Sequence, residues 1–412
     1  MKKSLLVVFV LLSYVVLAQP TSSSATSKDL QLNSITTAMP FLSINPDSRS
    51  GGMGDAGTAL SATPSSIYWN TAGLAFADKK SGLGISYVPW LRQLTNDIHL
   101  SYLSGYYKFG QRHAVTAGLR YFSLGNITYT DNTGGKIRDD KPSEFELISG
   151  YAFKLSDRLS IGVNGKFAYS NLTGGLIVNG AQTKAGVAGA ADLSFMYRNS
   201  DLTLGGSKGT YAFGTTVNTI GNKVSYSNLS GSDFLPMNLK IGNAYTAELD
   251  SYNKFTVSLD LQKLLVPTPA IYSSKGELLS GKVSNVGVIS GLLQSFSDAP
   301  GLIDISSGDT IFGSDGKAQV VKGSRLKEEL NEINIATGME YDYNDVFAVR
   351  GGFFYESTTK GARQYFNFGI GLKYNIIGFD ISYIAALKRN NPLANTLRFS
   401  IRFDLGGKTE DK

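Results

Sequence analysis

Apolar and polar residues alternate with a period of two along most of the chain from residue 82 onward. In the run 159–169, polar or small residues separate five large apolar ones: Leu159, Ile161, Val163, Phe167 and Tyr169. The runs 255–262 and 396–405 repeat this pattern. Because alternate side chains of a strand point to opposite faces, each run predicts a strand with one apolar and one polar face.

Runs of this kind predict fourteen strands, at about 82–89, 97–109, 112–124, 143–155, 158–170, 184–198, 208–219, 235–248, 253–263, 332–343, 345–355, 364–375, 377–387 and 394–405. Their lengths are around or above the ~9–11 residues that a tilted strand needs to cross a bilayer. Short connections alternate with mostly longer ones, of which 264–331 is the longest. The sequence therefore predicts an all-β fold, a 14-stranded antiparallel transmembrane β-barrel at 82–405 with short periplasmic turns and longer extracellular loops.

The polar faces carry charges of both signs, which are costly on a lipid-facing wall. We predict that these charges line the lumen as ion pairs: Glu144, Glu146, Arg158, Lys166, Lys240, Asp260, Glu340, Arg350, Lys373, Asp380, Arg398 and Arg402. Aromatic residues gather at strand ends, where they are predicted to form girdles at the membrane interfaces: Tyr87, Trp90, Tyr106, Tyr107, Phe109, Tyr121, Phe122, Tyr341, Tyr343, Tyr355 and Tyr374. Ordinary sheet packing is the alternative for each ring taken singly.

The composition excludes several kinds of site. The 412-residue chain has no Cys and only two His, so disulfides, thiolate zinc sites, iron–sulfur clusters and cysteine nucleophiles are ruled out. Its net charge of +6 is small for this length and evenly spread, so no nucleic-acid partner is predicted. No metal and no other cofactor is predicted, and the apolar faces require outer-membrane lipid as their partner.

The chain begins with Lys2 and Lys3, followed by the apolar run 5–17 and Ala18. This arrangement predicts a cleaved secretory signal peptide at 1–18. The Ser/Thr-rich residues 19–34 are predicted to be flexible, and 406–412 to form a carboxy-terminal tail. Residues 35–81 have few alternating runs but several Pro and Gly, so we predict that they form a plug inside the barrel, whose lumen is too wide for side chains alone to fill.

A small set of plug residues is predicted to hold it in place: Asp47, Arg49, Gly51, Gly52, Gly54, Asp55 and Asn70. Asp47, Arg49 and Asp55 are expected to form one buried ion-paired knot. The glycines would allow the plug backbone to approach the wall closely. Ligand contact is the alternative role for these residues.

Two plug segments have a recognisable pattern, FLSINPDSRSGGMGDAG at 41–57 and SIYWNTAGLAF at 66–76. They resemble the start of the PorV/PorQ family, outer-membrane proteins of the type IX secretion system of Bacteroidetes that are related in fold to the FadL transporters. The family usually has Ala where this chain has Ser48 and Ser50, and Pro where it has Thr71. The last difference would loosen a turn.

The resemblance implies a non-enzymatic function in protein transport. Members of this family receive cargo C-terminal signal domains from a SprA-like translocon and carry them to a PorU-like sortase for surface attachment. The alternative is a FadL-type transporter of hydrophobic small molecules, which would need an apolar lumenal pocket and an opening in the plug or the wall. The charged faces predicted for the lumen weigh against that alternative.

The connection 264–331 is predicted to be an ordered extracellular insertion with helices near 283–296 and 325–330. It contains apolar residues that would form a partner-docking surface: Leu264, Leu265, Val266, Ile271, Ile289 and Leu292. The alternative is a loop that folds over the barrel mouth.

One pair of residues raises the question of catalysis. His99 and Ser101 share a strand face, as a base and a nucleophile would. We predict that this face points into the lumen, with Leu100 and Tyr102 facing lipid. Asp97 is the only nearby carboxylate on that face, and it lies at a strand end. An enzyme is therefore not predicted.

Overall fold

The computed structural model describes residues 32–92, 95, 97–130, 133–175, 177–178, 181–204, 206–228, 231–304, 311–313, 318–388 and 393–408. The predicted signal peptide at 1–18 lies outside these residues, as do most of the segment 19–34 and the end of the tail. Across the described ranges, no helix is both long enough and apolar enough to cross a membrane.

Within the described residues, fourteen antiparallel strands close into one barrel. They are β1 (Lys79–Pro89), β2 (Ile98–Phe109), β3 (His113–Leu124), β4 (Ser143–Lys154), β5 (Leu159–Asn171), β6 (Gly186–Leu204), β7 (Ser207–Gly221), β8 (Asn238–Glu248), β9 (Asn253–Leu264), β10 (Ile333–Tyr343), β11 (Phe347–Tyr355), β12 (Gln364–Tyr374), β13 (Ile377–Ala386) and β14 (Leu397–Lys408). Each strand pairs with its neighbours in sequence, and β1 also pairs with β14. The predicted fold class is confirmed.

The predicted strand limits differ from the observed ones by at most three residues, except in β6. This strand continues to Leu204, six residues beyond its predicted end, because it forms a polar hairpin with the start of β7. Strand β8 begins three residues later than predicted, after Pro236, which cannot donate a ladder hydrogen bond. The alternation of short and long connections is confirmed. We call the two ends of the barrel the turn end and the loop end.

The outer wall is apolar. Val163, Leu259 and Ile401 are among the exposed large residues that alternate with buried polar ones, as predicted. Eight of the predicted girdle residues are exposed: Tyr87, Tyr107, Phe109, Tyr121, Tyr341, Tyr343, Tyr355 and Tyr374. The prediction is wrong for Tyr106 and Phe122, which are buried inside the barrel, and for Trp90, which lines an internal cavity.

The segment before β1 fills the lumen with four short helical turns. These are a 3-10 helix at Pro40–Ser43, α1 (Ser48–Gly52), α2 (Ser66–Trp69) and a second 3-10 helix at Thr71–Phe76. Side chains of β3, β5, β9, β10 and β14 hydrogen-bond to the segment from around the wall: Arg120, Asn164, Asp260, Glu340 and Arg398. This segment, called the plug below, is therefore bonded to five strands of the wall.

Short hairpins and helices lie at the loop end of the barrel. Two-stranded hairpins pair Ile127–Thr130 with Lys136–Asp140, Ile177–Val178 with Ala181–Gln182, and Ile271–Tyr272 with Leu278–Ser280. The connection between β9 and β10, called the insertion below, also contains α3 (Val288–Gln294) and α4 (Ser324–Asn331). Both helices lie close to their predicted positions.

Candidate functional site

Asp55 is the most heavily bonded plug carboxylate. It lies 2.7 Å from Nη1 of Arg398 on β14, and it accepts hydrogen bonds from the Tyr365 hydroxyl at 2.6 Å and from the Asn45 amide at 2.5 Å. Its φ is +62°, in the left-handed region. Both charged side chains are almost fully buried, so each depends on the other for compensation.

Arg49 joins the plug to a second ion pair. Its Nη2 lies 2.8 Å from Glu340 Oε1 on β10, and Arg350 on β11 donates from Nε to the other oxygen of Glu340 at 2.6 Å. Nη1 of Arg350 reaches Asp380 on β13 at 2.7 Å. Strands β10, β11 and β13 and the plug therefore share one chain of alternating charges.

The Asp47 carboxylate bonds within the plug, whereas Asp55 and Arg49 form ion pairs with the wall. The Asp47 carboxylate accepts from the backbone N–H of Ser50 at 3.0 Å, which caps α1, and from the indole N–H of Trp69. Burial raises the pKa of Asp47, although these hydrogen bonds oppose the rise. The predicted single knot of Asp47, Arg49 and Asp55 is wrong, because each residue pairs with a separate partner.

The plug glycines lie against the wall. Gly54 has φ +71°, and a Cβ there would clash with the backbone of Thr337 and Phe353. A Cβ on Gly51 would contact Arg398, and one on Gly52 would reach the Gly369 backbone. The contribution of these glycines to plug stability remains a prediction. Wall positions such as Gly369 also lie close to the plug backbone, which leaves little room for a side chain. The alternation of apolar and polar residues did not predict these positions.

Asn70 and Thr71 fix the end of α2. The Asn70 amide donates to the carbonyl oxygens of Thr58 at 2.9 Å and of Phe195 on β6 at 3.1 Å, and its oxygen accepts from Ala72 N at 3.1 Å. The Thr71 hydroxyl lies 2.7 Å from Asn164 Oδ1 on β5. At position 71, where the family usually has Pro, this chain therefore has a side chain that hydrogen-bonds to the wall.

The lumen is lined by charges of both signs, as predicted, but Glu144, Lys240 and Asp260 form no ion pair with any residue that the structure describes. Lys166 lies between Asp192 at 3.0 Å and Glu146 at 3.5 Å, and Glu146 also reaches Arg120 at 3.3 Å. Arg120 and Asp192 were missed from sequence. The prediction is wrong for Arg158, whose side chain is exposed in the turn before β5 and lies 3.6 Å from Asp201.

A cavity of about 780 Å³ lies above the plug and reaches the loop end of the barrel. We call it the recess. Its lining is largely apolar and aromatic and includes Phe41, Leu42, Trp69, Trp90, Phe122, Leu264 and Phe354. Charged side chains, among them Glu144, Lys240 and Arg363, interrupt this lining.

Lys240 is the notable cation of the recess. Its side chain is buried, with Nζ 4.5 Å from the ring centroid of Trp69 and 4.6 Å from that of Tyr68. It makes no ion pair within the described part of the chain, and Oδ2 of Asp260 accepts the backbone N–H groups of Gly57 and Thr58 at 2.9 Å. A buried ammonium held over aromatic faces is suited to an anionic or polar group in the recess.

The insertion packs against the rim of the barrel. Leu265 and Val266 are buried in a cluster with Phe234 and Met237, so they are not available for docking and the prediction is wrong for them. Leu264 lines the recess, and Ile271 and Leu292 are half-buried. Of the six predicted docking residues, only Ile289 is exposed, at 61%.

A buried cluster of charges holds the insertion down. Lys263 at the end of β9 is flanked by Glu332, with Glu329 of α4 at 3.4 Å, and Lys360 bonds Glu328 at 2.7 Å and Glu332 at 3.0 Å. Asp298 lies beside these acids and accepts from the backbone N–H of Thr268 at 3.1 Å. Burial raises the pKa of Asp298 to about 6, and Glu332 and Glu329 contribute to the rise.

The structure corrects the orientation of His99 and Ser101. Leu100 and Tyr102 point inward and are buried against the plug residue Phe41, so His99 and Ser101 lie on the outer face. The apolar side of this strand faces the plug rather than lipid, which reverses the usual rule. The Asp97 carboxylate is bonded to Asn126 N at 2.8 Å and to Thr95, so it does not orient the imidazole.

The sequence profile of the family described as type IX secretion system protein PorV matches residues 26–271, more than half of the chain. The chain belongs to the PorV family. It is therefore an outer-membrane protein and a component of the type IX secretion system. The match covers the whole plug and the first nine strands of the barrel.

Solved barrels are also similar to this chain. A Pseudomonas aeruginosa FadL homologue has 12% identity and a TM-score of 0.43 over 90% of this chain and 99% of its own. The toluene transporter TodX of P. putida has 13% identity and a TM-score of 0.46 over 87% and 98%. Toluene transport is a property of TodX and is not transferred to this chain. No curated protein sequence matches the chain.

Proposed function

We propose that this PorV-family protein binds cargo C-terminal signal domains at a SprA-like translocon and carries them to a PorU-like sortase. The proposed route begins with export through a signal peptide at 1–18, which is cleaved. The loop end, with the insertion 264–331, then faces the cell exterior. The barrel has no catalytic role in this proposal, because carrying a folded domain needs reversible binding and no bond chemistry.

The observation that carries the proposal is the contrast between the two ends of the lumen. The plug bonds to strands around the wall, including β14 through Arg398 and β10 through Glu340, so the barrel is filled below the recess. The recess remains open toward the loop end. A barrel closed in this way is suited to receiving part of a partner rather than to passing a protein through itself.

The recess has the chemistry of a protein-binding pocket. Aromatic side chains such as Trp90 and Phe122 supply apolar contact area, and Lys240 supplies one buried charge for orientation. Aromatic anchors with a few placed polar groups are common where a partner is held tightly. We propose that an apolar segment of the cargo signal domain enters here, with Leu264 at the edge of the contact.

Affinity purification in mild detergent tests the proposal. A tagged chain should co-purify a very large translocon subunit and cargo signal domains. The variant Asn334→Trp, which fills the recess at its lining, should lose the cargo while keeping the translocon. Asp157→Trp, in an exposed turn at the opposite end, is the matched control and should keep both. Equal cargo recovery from the two variants would contradict binding in the recess.

A second candidate is a FadL-type transporter of hydrophobic small molecules. Two observations favour it: the apolar lining of the recess, and an irregular wall between β6 and β7, where Thr219 has φ +62° and donates its N–H to Asp192 at 2.7 Å. A bulge of this kind could mark a lateral path into the membrane. Fatty acid bound to the purified chain, with no protein partner present, would support the transporter.

A further inference from the structure

The outer wall of the barrel is covered at one place near the loop end. Leu239 on β8 pairs with Lys263 on β9, and the next pair toward the loop end is Met237 with Leu265, joined by a backbone hydrogen bond of 2.8 Å. These four residues continue the outward-facing series of their strands. Nevertheless Met237 is 0% exposed and Leu265 is 1% exposed, whereas Leu259 and Leu261 on the same outer face are exposed.

The insertion provides this cover. Val286, Val288 and Leu292 pack against the cluster of Phe234, Met237 and Leu265. The cluster also includes Val217 and Leu239, whose paired positions lie on the outer face of β7 and β8. Helix α3 therefore lies along the outer flank of the barrel rather than only above its mouth.

Helix α3 has a second apolar side that faces away from the barrel. Val288, Gly291 and Leu292 turn toward the wall, and the opposite side presents Ile289 and Leu293, which are 61% and 65% exposed. Phe296, in the turn that follows the helix, is 49% exposed. Ile289 and Leu293 are four residues apart and therefore lie on one side of α3, and Phe296 follows three residues after Leu293. We call these three residues the outer ridge.

The level of the outer ridge is set by the strand beneath it. Val257, Leu259 and Leu261 form the exposed apolar band of β9, and Lys263 follows two residues later, roughly 7 Å along the strand. Lys263 pairs with Glu329 and Glu332, as expected once the apolar band has ended. The cover formed by the insertion thus begins where the lipid-facing band ends, at the interface with the headgroups.

We propose that the outer ridge is immersed in the outer leaflet of the membrane, so that Ile289, Leu293 and Phe296 contact the acyl chains of lipid beside β7–β9. Short amphipathic helices at this depth bind membranes through buried apolar area. The ridge continues an apolar surface that already faces lipid, which favours lipid over a protein as its occupant. Lys223 and Lys282, which bond Asn285 and Ser297 next to α3, add positive charge suited to anionic headgroups.

The absence of Cys makes site-specific labelling direct. Leu293→Cys, labelled with bimane and reconstituted in phosphatidylcholine vesicles, should be quenched severalfold more strongly by phosphatidylcholine spin-labelled near the headgroup end of its acyl chain than the same label at Ile137→Cys. Ile137 lies in an exposed loop hairpin and is the matched aqueous control. Leu259→Cys, at the centre of the wall, is the membrane-embedded control and should be quenched best by a spin label deeper in the chain.

Quenching at residue 293 no greater than at residue 137, with residue 259 quenched normally, would overturn the proposal and leave a protein as the occupant of the ridge. The residue 259 measurement also shows that each preparation has folded into the membrane. Should the Leu293 variant fold poorly, Phe296→Cys reports on the same ridge. The test uses no cargo, so its outcome is independent of the proposed carrier function.

Discussion

Removal of the Asp55 charge should destabilise the docked plug more than the loss of any exposed ion pair would. Asp55→Asn keeps the size of the side chain, and Asn tolerates the left-handed φ of +62° at this position. The amide cannot balance Arg398, whose side chain is only 2% exposed and whose guanidinium lies 2.7 Å from the Asp55 carboxylate. Breaking one side of a buried pair costs about 3–5 kcal/mol, which corresponds to at least a hundredfold change in the docking equilibrium of the plug.

Tryptophan fluorescence measures this loss. The chain has two Trp, of which Trp69 is buried in the plug and Trp90 lines the recess, so their emission reports on plug release during a urea titration. The Asp55→Asn variant should release its plug at much lower urea than the unmodified chain. Adding Arg398→Met should recover part of the loss, because the unpaired charge is then gone.

Lys254→Met is the control for this experiment. It breaks the ion pair with Asp345 at 2.8 Å, whose side chains are 37% and 70% exposed, and should cost about 0–1 kcal/mol. A shift for Asp55→Asn no larger than that of Lys254→Met would refute the conclusion that the buried pair holds the plug. The conclusion would also be refuted if the destabilisation of the double variant Asp55→Asn, Arg398→Met equalled the sum of the destabilisations of the two single variants.

Three further changes test separate contacts. Gly54→Ala should prevent the plug from seating, because a Cβ at φ +71° meets the wall backbone, and single-channel recordings should then show open pores; a closed lumen would contradict this. Thr71→Val should destabilise the plug by about 1–3 kcal/mol in the urea titration by leaving Asn164 Oδ1 without its donor, and Thr71→Ser should restore it; equal effects of the two would argue against the hydrogen bond. Burial raises the pKa of Asp298 to about 6, so the docked insertion binds a proton more tightly than the released one. The free energy that keeps the insertion docked should therefore fall as the pH rises toward and through 6. Hydrogen exchange of residues 281–300, corrected for intrinsic rates, should show this fall, and Asp298→Asn should remove it; an unchanged pH profile would contradict the assignment.

The barrel could be predicted from sequence because lipid imposes a simple rule on its wall. In strands such as β5 and β9 the apolar residues face lipid and the polar ones face the lumen, so the period of two directly gives both strand limits and orientation. The rule fails in β2, where Leu100 and Tyr102 pack against Phe41 of the plug. A plug with an apolar surface reverses the signal locally, and no pattern within β2 itself records that contact.

The charged residues of the plug could be predicted from the sequence, but the residues that they bond to could not. Asp47, Arg49 and Asp55 could be singled out as charges that must be compensated inside the lumen, yet the partner of Asp55 lies 343 positions away on β14. Partners at such distances depend on barrel closure and on the register of each strand. The same limit explains why Leu265 and Val266 were predicted to be exposed: their cover comes from a helix more than twenty residues later.

The most direct test of the carrier function is the location of cargo in cells that lack this gene. A carrier between the translocon and the sortase predicts that cargo proteins with C-terminal signal domains accumulate in the periplasm with those domains uncleaved, and that the plasmid-borne chain restores surface display. Normal display of cargo in the deletion strain, measured by surface proteolysis and by labelling of intact cells, would contradict the proposed function.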